Sequence, residues 1–337
     1  VKADEPGYLA LHRSGELARR AARLEARLAA CDICPRECGA DRLAGKTGAC
    51  NSALSPIVAS AGAHHGEEPA ISGPRGSGTI FFGNCNLRCV YCQNHQISQA
   101  PELQQHNAVS PRELAGRMIY LQDELGCHNI NLVTPSHFVP QIARAVLEAV
   151  PLGLKIPLVY NTSSYDSVAT LKELDGVVDI YLADLRYASD VLARRYSRVR
   201  HYVAISRAAI QEMQRQVGDL RVDDDGVARR GLIIRHLILP QDIAGSRDSL
   251  EWLVKEVSPH VAVSVMSQYY PAHKARKYKE LNRKITPEEY AAVAEIVAEL
   301  GIANGWMQEM ASADSYRPDF NAKEPFAERK RRKRERR

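Results

Sequence analysis

The chain has 337 residues, 45% hydrophobic and 25% charged, a balance that excludes wholesale disorder and collagen-like structure. Its net charge of +5 is unevenly placed: Arg329–Arg337 holds eight basic residues and one acidic one, so the rest of the chain is slightly acidic and offers nucleic acid no general attraction. No run of about 18 apolar residues is present to span a bilayer, and Val1–Ala10 lacks the apolar core of a secretory signal, so a cytoplasmic protein with no membrane partner is expected.

Residues 8–30 read as one amphipathic helix with Leu17, Leu24 and Leu28 on its buried face. Residues 31–77 are rich in Gly, Pro, Ser and Cys, show little periodicity, and need a staple to fold. From Gly78 onward strand-like and helical runs alternate. The strands are expected at 79–82, 130–133, 158–160, 178–182, 232–239 and 261–266. Ser110-Pro111-Arg112-Glu113 and Thr286-Pro287-Glu288-Glu289 each combine a capping hydroxyl, a first-turn Pro and a reciprocating Glu, and so mark helix starts. Residues 219–230 read as a hairpin before the fifth strand, and 311–337 as a polar to basic tail. The expected organisation is an N-terminal helix and Cys-rich segment (1–77), a (βα)6 unit (78–310) forming an open or closed α/β barrel, and the tail. In such a unit the chemistry lies where strands end and loops begin.

Eight cysteines are too few for a disulfide scaffold, and seven of them fall in two tight groups, which points to metal ligation in a reducing compartment. Cys127 stands apart and reads as a small packed residue. Directly after the first expected strand comes Cys85-Asn-Leu-Arg-Cys89-Val-Tyr91-Cys92. Three thiolates on one short loop match three corners of a [4Fe–4S] cube and leave the fourth iron open. The competing reading is a zinc site completed by a His such as His95, although structural zinc usually comes with a closed set of four ligands.

The loop Gly-Asn-Cys-Asn-Leu-Arg-Cys-Val-Tyr-Cys-Gln-Asn resembles that of the radical S-adenosylmethionine (SAM) superfamily, and most of all its pyruvate formate-lyase activating enzyme-like branch of uncharacterised iron–sulfur proteins. The resemblance covers about residues 31–310 and implies a partial (βα)6 barrel. It also implies a cluster held by Cys85, Cys89 and Cys92 whose open iron chelates SAM, with Tyr91 beside the adenine. Members usually bind the SAM amino group with a Gly-Gly-Glu-like turn after the second strand. Here that place is Asn131–His137, which lacks those residues, so the Thr134 hydroxyl or the backbone carbonyls of Val133 to Pro135 take the contact instead. Tyr160-Asn161-Thr162-Ser163 resembles the family's Thr-Asn-Gly turn, and Asp184-Leu185-Arg186 its Asp-Leu-Lys. Asp184 then meets ribose hydroxyls or the amino group and Arg186 the carboxylate; the plain alternative is an ion pair at the rim. Arg235-His236 resembles a further Arg of the activating enzymes. Strand alternation lets only one of these two side chains face the site. His137 reads either as a helix cap or as a site residue, and Gln268–Pro271 as mouth or packing.

Cys31-x2-Cys34-x3-Cys38-x11-Cys50 supplies four further ligands, enough for a closed structural zinc or an accessory iron–sulfur cluster. A similar preface occurs in the branch that the chain resembles. The expected activity is reductive cleavage of SAM to a 5′-deoxyadenosyl radical that abstracts hydrogen from a substrate. The resemblance implies a protein glycine as that substrate and a flavodoxin, ferredoxin or reductase as the electron donor. The alternatives are modification of RNA or a small metabolite, with the basic tail as its only electrostatic support, and a non-catalytic metal-binding adaptor.

Overall fold

A computed structural model describes residues 5–315, 318–320, 325 and 326; the basic tail Arg329–Arg337 lies outside the described residues. The strands are β1 (Val58–His64), β2 (Ser77–Phe82), β3 (Ile130–Val133), β4 (Leu158–Thr162), β5 (Ile180–Asp184), β6 (Arg221–Val222), β7 (Ala228–Leu237), β8 (Ala262–Met266) and β9 (Gly305–Met307). Among the described residues they form one sheet in the order β1-β2-β3-β4-β5-β7-β8-β9, with β6 off the path on β7. The pairs from β2 to β9 are parallel; β1 with β2 and β6 with β7 are antiparallel. No pairing joins the two edges of this path among the described residues. The molecule is therefore an α/β fold with a mostly parallel sheet.

Parallel neighbours need long crossovers, and helices supply them. They include Pro111–Asp123, Val139–Ala149, Tyr202–Val217, Ser246–Glu256 and Pro287–Glu299. Both expected capping boxes are formed, at Ser110 with Glu113 and at Thr286 with Glu289. Successive strand residues face opposite sides. Ile80, Leu132, Tyr160, Tyr181, Leu232, Ile234 and Val263 join the large core under the helices. Their neighbours Val159, Ile180, Leu182, Ile233 and Ala262 form a smaller cluster on the other face. With both faces buried, the strands read as nearly continuous apolar runs, and this is why the sequence located them.

Three differences from the expected elements have local causes. The first helix is split into Gly7–Arg13 and Glu16–Ala26 because Gly15 sits in the left-handed region at φ +71°. Leu17, Leu24 and Leu28 are nevertheless fully buried. β1 lies inside the segment expected to be irregular; its Val-Ala-Ser-Ala-Gly-Ala-His carries almost no apolar signal. β9 is three residues long and too short for periodicity to register. The expected hairpin before the fifth run is present as β6 and β7.

The Cys-rich segment is fixed to the sheet by Arg42, which is 1% exposed. Its guanidinium donates to the carbonyl oxygen of Ala53 from Nε (3.0 Å) and Nη2 (2.8 Å), and to that of His137 from Nη1 (2.7 Å). It also lies 5.6 Å from the centre of the Phe138 ring. Arg42→Ala should cost about 3 kcal/mol, since two buried carbonyls lose charge-assisted donors and the aromatic loses its cation. Urea unfolding reads this as a lower midpoint at unchanged slope; an unaltered midpoint contradicts it.

Candidate functional site

β2 delivers the cysteine loop. After Phe82 the chain turns at Asn84, which takes φ +65° and donates its side-chain amide to Asn51 O (3.0 Å) and Ser52 Oγ (3.1 Å). Cys85, Cys89 and Cys92 then all line one open cavity with an empty volume of about 570 Å³. Its opposite wall consists of strand-end residues: Val133 and Thr134 after β3, Asn161 to Ser163 at the end of β4, Asp184 and Arg186 after β5, and Arg235 on β7.

Each thiol has a donor or hydroxyl near it. Leu87 N–H points at Cys85 Sγ (3.3 Å), Ser197 Oγ lies 3.0 Å from Cys89 Sγ, and Ser98 Oγ lies 3.2 Å from Cys92 Sγ. Arg186 Nη1 stands 3.5 Å from Cys89 Sγ. Burial pushes the Cys85 thiol up to about 12, and the neighbouring thiols add to it; Cys92 is raised for the same reasons. Three thiolates in this place therefore need a positive centre between them. Among the described residues, no three His, Cys, Asp or Glu side chains close on a point fit for a single metal ion. Three thiols lining one cavity supply the ligand count of a cluster with one open iron, whereas a structural zinc would need a fourth ligand. His95, the residue expected to complete such a zinc site, instead stacks on His273 (4.9 Å) with Nδ1 at 3.2 Å from Cys92 O.

The charged wall is a chain of pairs. Arg235 donates Nε–H to Asp184 Oδ1 (2.7 Å) and Nη2–H to Asn161 Oδ1 (2.7 Å), while Arg186 donates Nη2–H to Asp184 Oδ2. Burial alone would raise the Asp184 carboxyl, but Arg235 and Arg186 together hold it below its ordinary value. Asp184 is thus a fixed anion between two cations. Thr134 N–H donates to Asn161 O (2.9 Å) from a left-handed turn at φ +61°, which brings its side chain to the cavity wall.

Five of the residues expected to bind the cofactor, Thr134, Asn161, Asp184, Arg186 and Arg235, share this wall with the three cysteines. Tyr91 is not on it: its ring is buried, edge-on to Tyr269, and its hydroxyl lies 2.6 Å from that of Tyr187. Of Arg235 and His236, Arg235 faces the cavity; His236 is buried on the other side against Leu185 O (2.9 Å) and Ser246 Oγ (3.0 Å). His137 is neither an exposed cap nor a cavity residue. It is buried with Nε2 at 3.0 Å from Gly83 O, and burial lowers it to about 3. Tyr269 is packing, its hydroxyl donating to Leu281 O (2.7 Å). Ser98, Gln99 and Asn94 also line the cavity, and nothing in their spacing singles them out.

In the amino-terminal group, Cys31, Cys34 and Cys50 are buried and Cys38 is exposed. Burial raises the Cys34 thiol to about 12, with Cys50 and Cys31 adding to it, so these sulfurs are electrostatic neighbours. Cys38 Sγ lies 3.9 Å from Cys31 O. Gly48 passes so close that a Cβ there would stand 2.2 Å from Cys38 Sγ. The group adjoins the first loop: Cys34 meets the Asn86 side chain, Arg36 donates Nε–H to Asn86 O (2.8 Å), and Arg88 donates Nη2–H to Ala49 O (2.8 Å). These cysteines do not close on a single-ion point either.

Residues 79–222 match the family model of the radical SAM superfamily. The chain is also similar, at 30% identity over 237 residues, to an uncharacterized protein of Methanocaldococcus jannaschii. That alignment covers 69% of this chain and 64% of the relative, so the chain spans less than two thirds of the relative's length. No helix among the described residues is long and apolar enough to cross a membrane.

Proposed function

We propose that this chain, which carries a radical SAM superfamily domain, is an enzyme that binds a [4Fe–4S] cluster through Cys85, Cys89 and Cys92 and holds SAM against the facing wall. The cluster and SAM are what that superfamily implies, and the site's residues fit them. When bound, they supply a 5′-deoxyadenosyl radical that abstracts hydrogen. The chain's own residues bind, orient and exclude water. Arg186 and Arg235 meet the carboxylate, Asp184 the amino group or ribose, Asn161 and Thr134 the polar edge, and Tyr91 braces the loop from behind. Such a site sits in a partial (βα)6 barrel, in keeping with the parallel order from β2 to β9.

The observation that carries this reading is that three thiols and an Arg–Asp–Arg wall, drawn from three separate stretches of chain, line one cavity. Anaerobic reconstitution with iron and sulfide, followed by dithionite and SAM, should yield 5′-deoxyadenosine. A fully loaded cluster that yields none, or one zinc and no iron at this loop, overturns it.

The finer readings are proposals of the same kind. The loop's likeness to activating enzymes favours a protein glycine as substrate and a flavodoxin- or ferredoxin-type donor in a cytoplasmic setting. Cys31, Cys34, Cys38 and Cys50 form a second centre, zinc or iron–sulfur. An RNA substrate is disfavoured by the slightly acidic body. Any RNA retention should therefore reside in the tail. Deleting Arg329–Arg337 should abolish salt-dependent retention and leave 5′-deoxyadenosine formation within about twofold. Retention by the shortened chain would revive the RNA reading.

A further inference from the structure

Between β1 and β2 the chain enters the cavity-side face of the sheet. The short helix Pro69–Ser72 packs Ala70 and Ile71 among Val159, Ile180, Leu182, Ala228, Ile233 and Ala262. Asn129 Nδ2–H donates to Ile71 O (2.8 Å), and Ser72 Oγ donates to Glu67 O (3.2 Å), which fixes the segment. Two acids precede the helix, Glu67 and Glu68, and neither is solvated: the Glu67 side chain is 9% exposed and Glu68 is 7% exposed. Glu67 Oε2 lies 3.6 Å from Arg235 Nη1, the guanidinium nitrogen that Asp184 and Asn161 leave free. Glu68 lies beside Glu67 and Ser264, and Asn131 lies beside Glu67. Among the described residues, Glu68 Oε2 and both amide atoms of Asn131 have no hydrogen-bond partner.

An Arg side chain has five N–H donors. Asp184, Asn161 and Glu67 each face one of the three nitrogens, which leaves two N–H groups, the number a bidentate carboxylate takes. We infer that Glu67 is the positioning residue of Arg235, holding the guanidinium from the side away from the cysteines so that its remaining donors meet a ligand carboxylate, and that Glu68 tunes this grip. The inference rests on the proposed SAM site.

The charge balance supports it. Asp184 on β5, Glu67 and Glu68 face Arg235 on β7, with Arg186 the second cation; Asn131 on β3 and Ser264 on β8 are neutral, and His64 on β1 is lowered to about 4 by burial. Two guanidinium groups thus meet three carboxyls, and the site is neutral only while one stays protonated. Burial raises Glu68 to about 7, and Glu67 is raised as well. Once ionised, Glu68 competes with a ligand carboxylate for Arg235, so affinity should fall as pH rises through about 7.

The test is equilibrium dialysis of SAM against the reconstituted full chain from pH 6 to 8.5. Glu67→Ala should weaken binding roughly tenfold or more, while Glu67→Gln, which keeps an acceptor in place, should restore it to within about threefold. Glu68→Gln should flatten the pH profile. Equal affinities for Glu67→Ala and wild type, beside a loss in Arg235→Ala, overturn the positioning role and leave the SAM site standing. Wild-type affinity in Arg235→Ala overturns both. Thermal unfolding of each variant separates loss of fold from loss of grip, and Glu67→Gln, nearly isosteric, keeps the test valid if the Ala variant does not fold.

Discussion

Cys89→Ala is expected to lower 5′-deoxyadenosine formation by roughly 1000-fold or more, which corresponds to about 4 kcal/mol of lost barrier reduction. Of the three loop thiols, Cys89 is the one tied into the charged wall, with Arg186 Nη1 at 3.5 Å and Ser197 Oγ at 3.0 Å from its sulfur. Its removal leaves two sulfur ligands for a centre that needs three and takes away the sulfur beside Arg186. The matching spectroscopic result is loss of the reduced-cluster resonance that SAM perturbs, with any signal from the amino-terminal cysteines retained. Cys127→Ala is the control: Cys127 is buried outside both groups, and its iron content and activity should match wild type. Comparable product from Cys89→Ala and wild type would remove the cluster from the account.

The sequence exposes the parts of the site that rest on spacing and hides those that rest on where side chains come to lie. The three-cysteine loop is legible because its gaps are chemical requirements. Most parallel strands are legible because burial on both faces makes them apolar runs. Asp184, Arg186 and Arg235 stand out only through resemblance, since an Arg after a strand looks like any rim charge. Parity restricts the site to Arg235 or His236, and the register of β7, with Arg235 opposite Asp184, decides it. Glu67 and Glu68 are illegible for a different reason. An acid pair in a Gly- and Pro-rich stretch reads as solvated loop, and only the apolar anchoring of Ala70 and Ile71 draws it inside. β1 is illegible because a strand of Ala, Ser and Gly leaves no pattern.

Asp184→Asn should both destabilise the fold and remove SAM binding, and the two losses share one cause. The carboxylate takes Nε–H from Arg235 and Nη2–H from Arg186, its side chain only 8% exposed. Neutralising it leaves two guanidinium groups facing each other with no anion between them, whereas the isosteric amide keeps the volume and one acceptor. Breaking a buried pair in this way typically costs about 3–5 kcal/mol. Because Asn retains an oxygen for Arg235, about 3 kcal/mol is expected at pH 7, read as a drop in the urea midpoint. The pH dependence fixes the sign. The folded Asp184 lies below the ordinary carboxylate value, so its contribution is present above the unfolded value of about 3.9 and disappears as pH falls through the lower folded value. Wild type and variant should accordingly differ at pH 7 and converge in acid. SAM affinity should fall roughly 100-fold at pH 7, because Arg186 and Arg235 lose the anion that orients both. Equal midpoints at pH 7, or a gap that widens in acid, would show that Asp184 is not the anion that organises this wall.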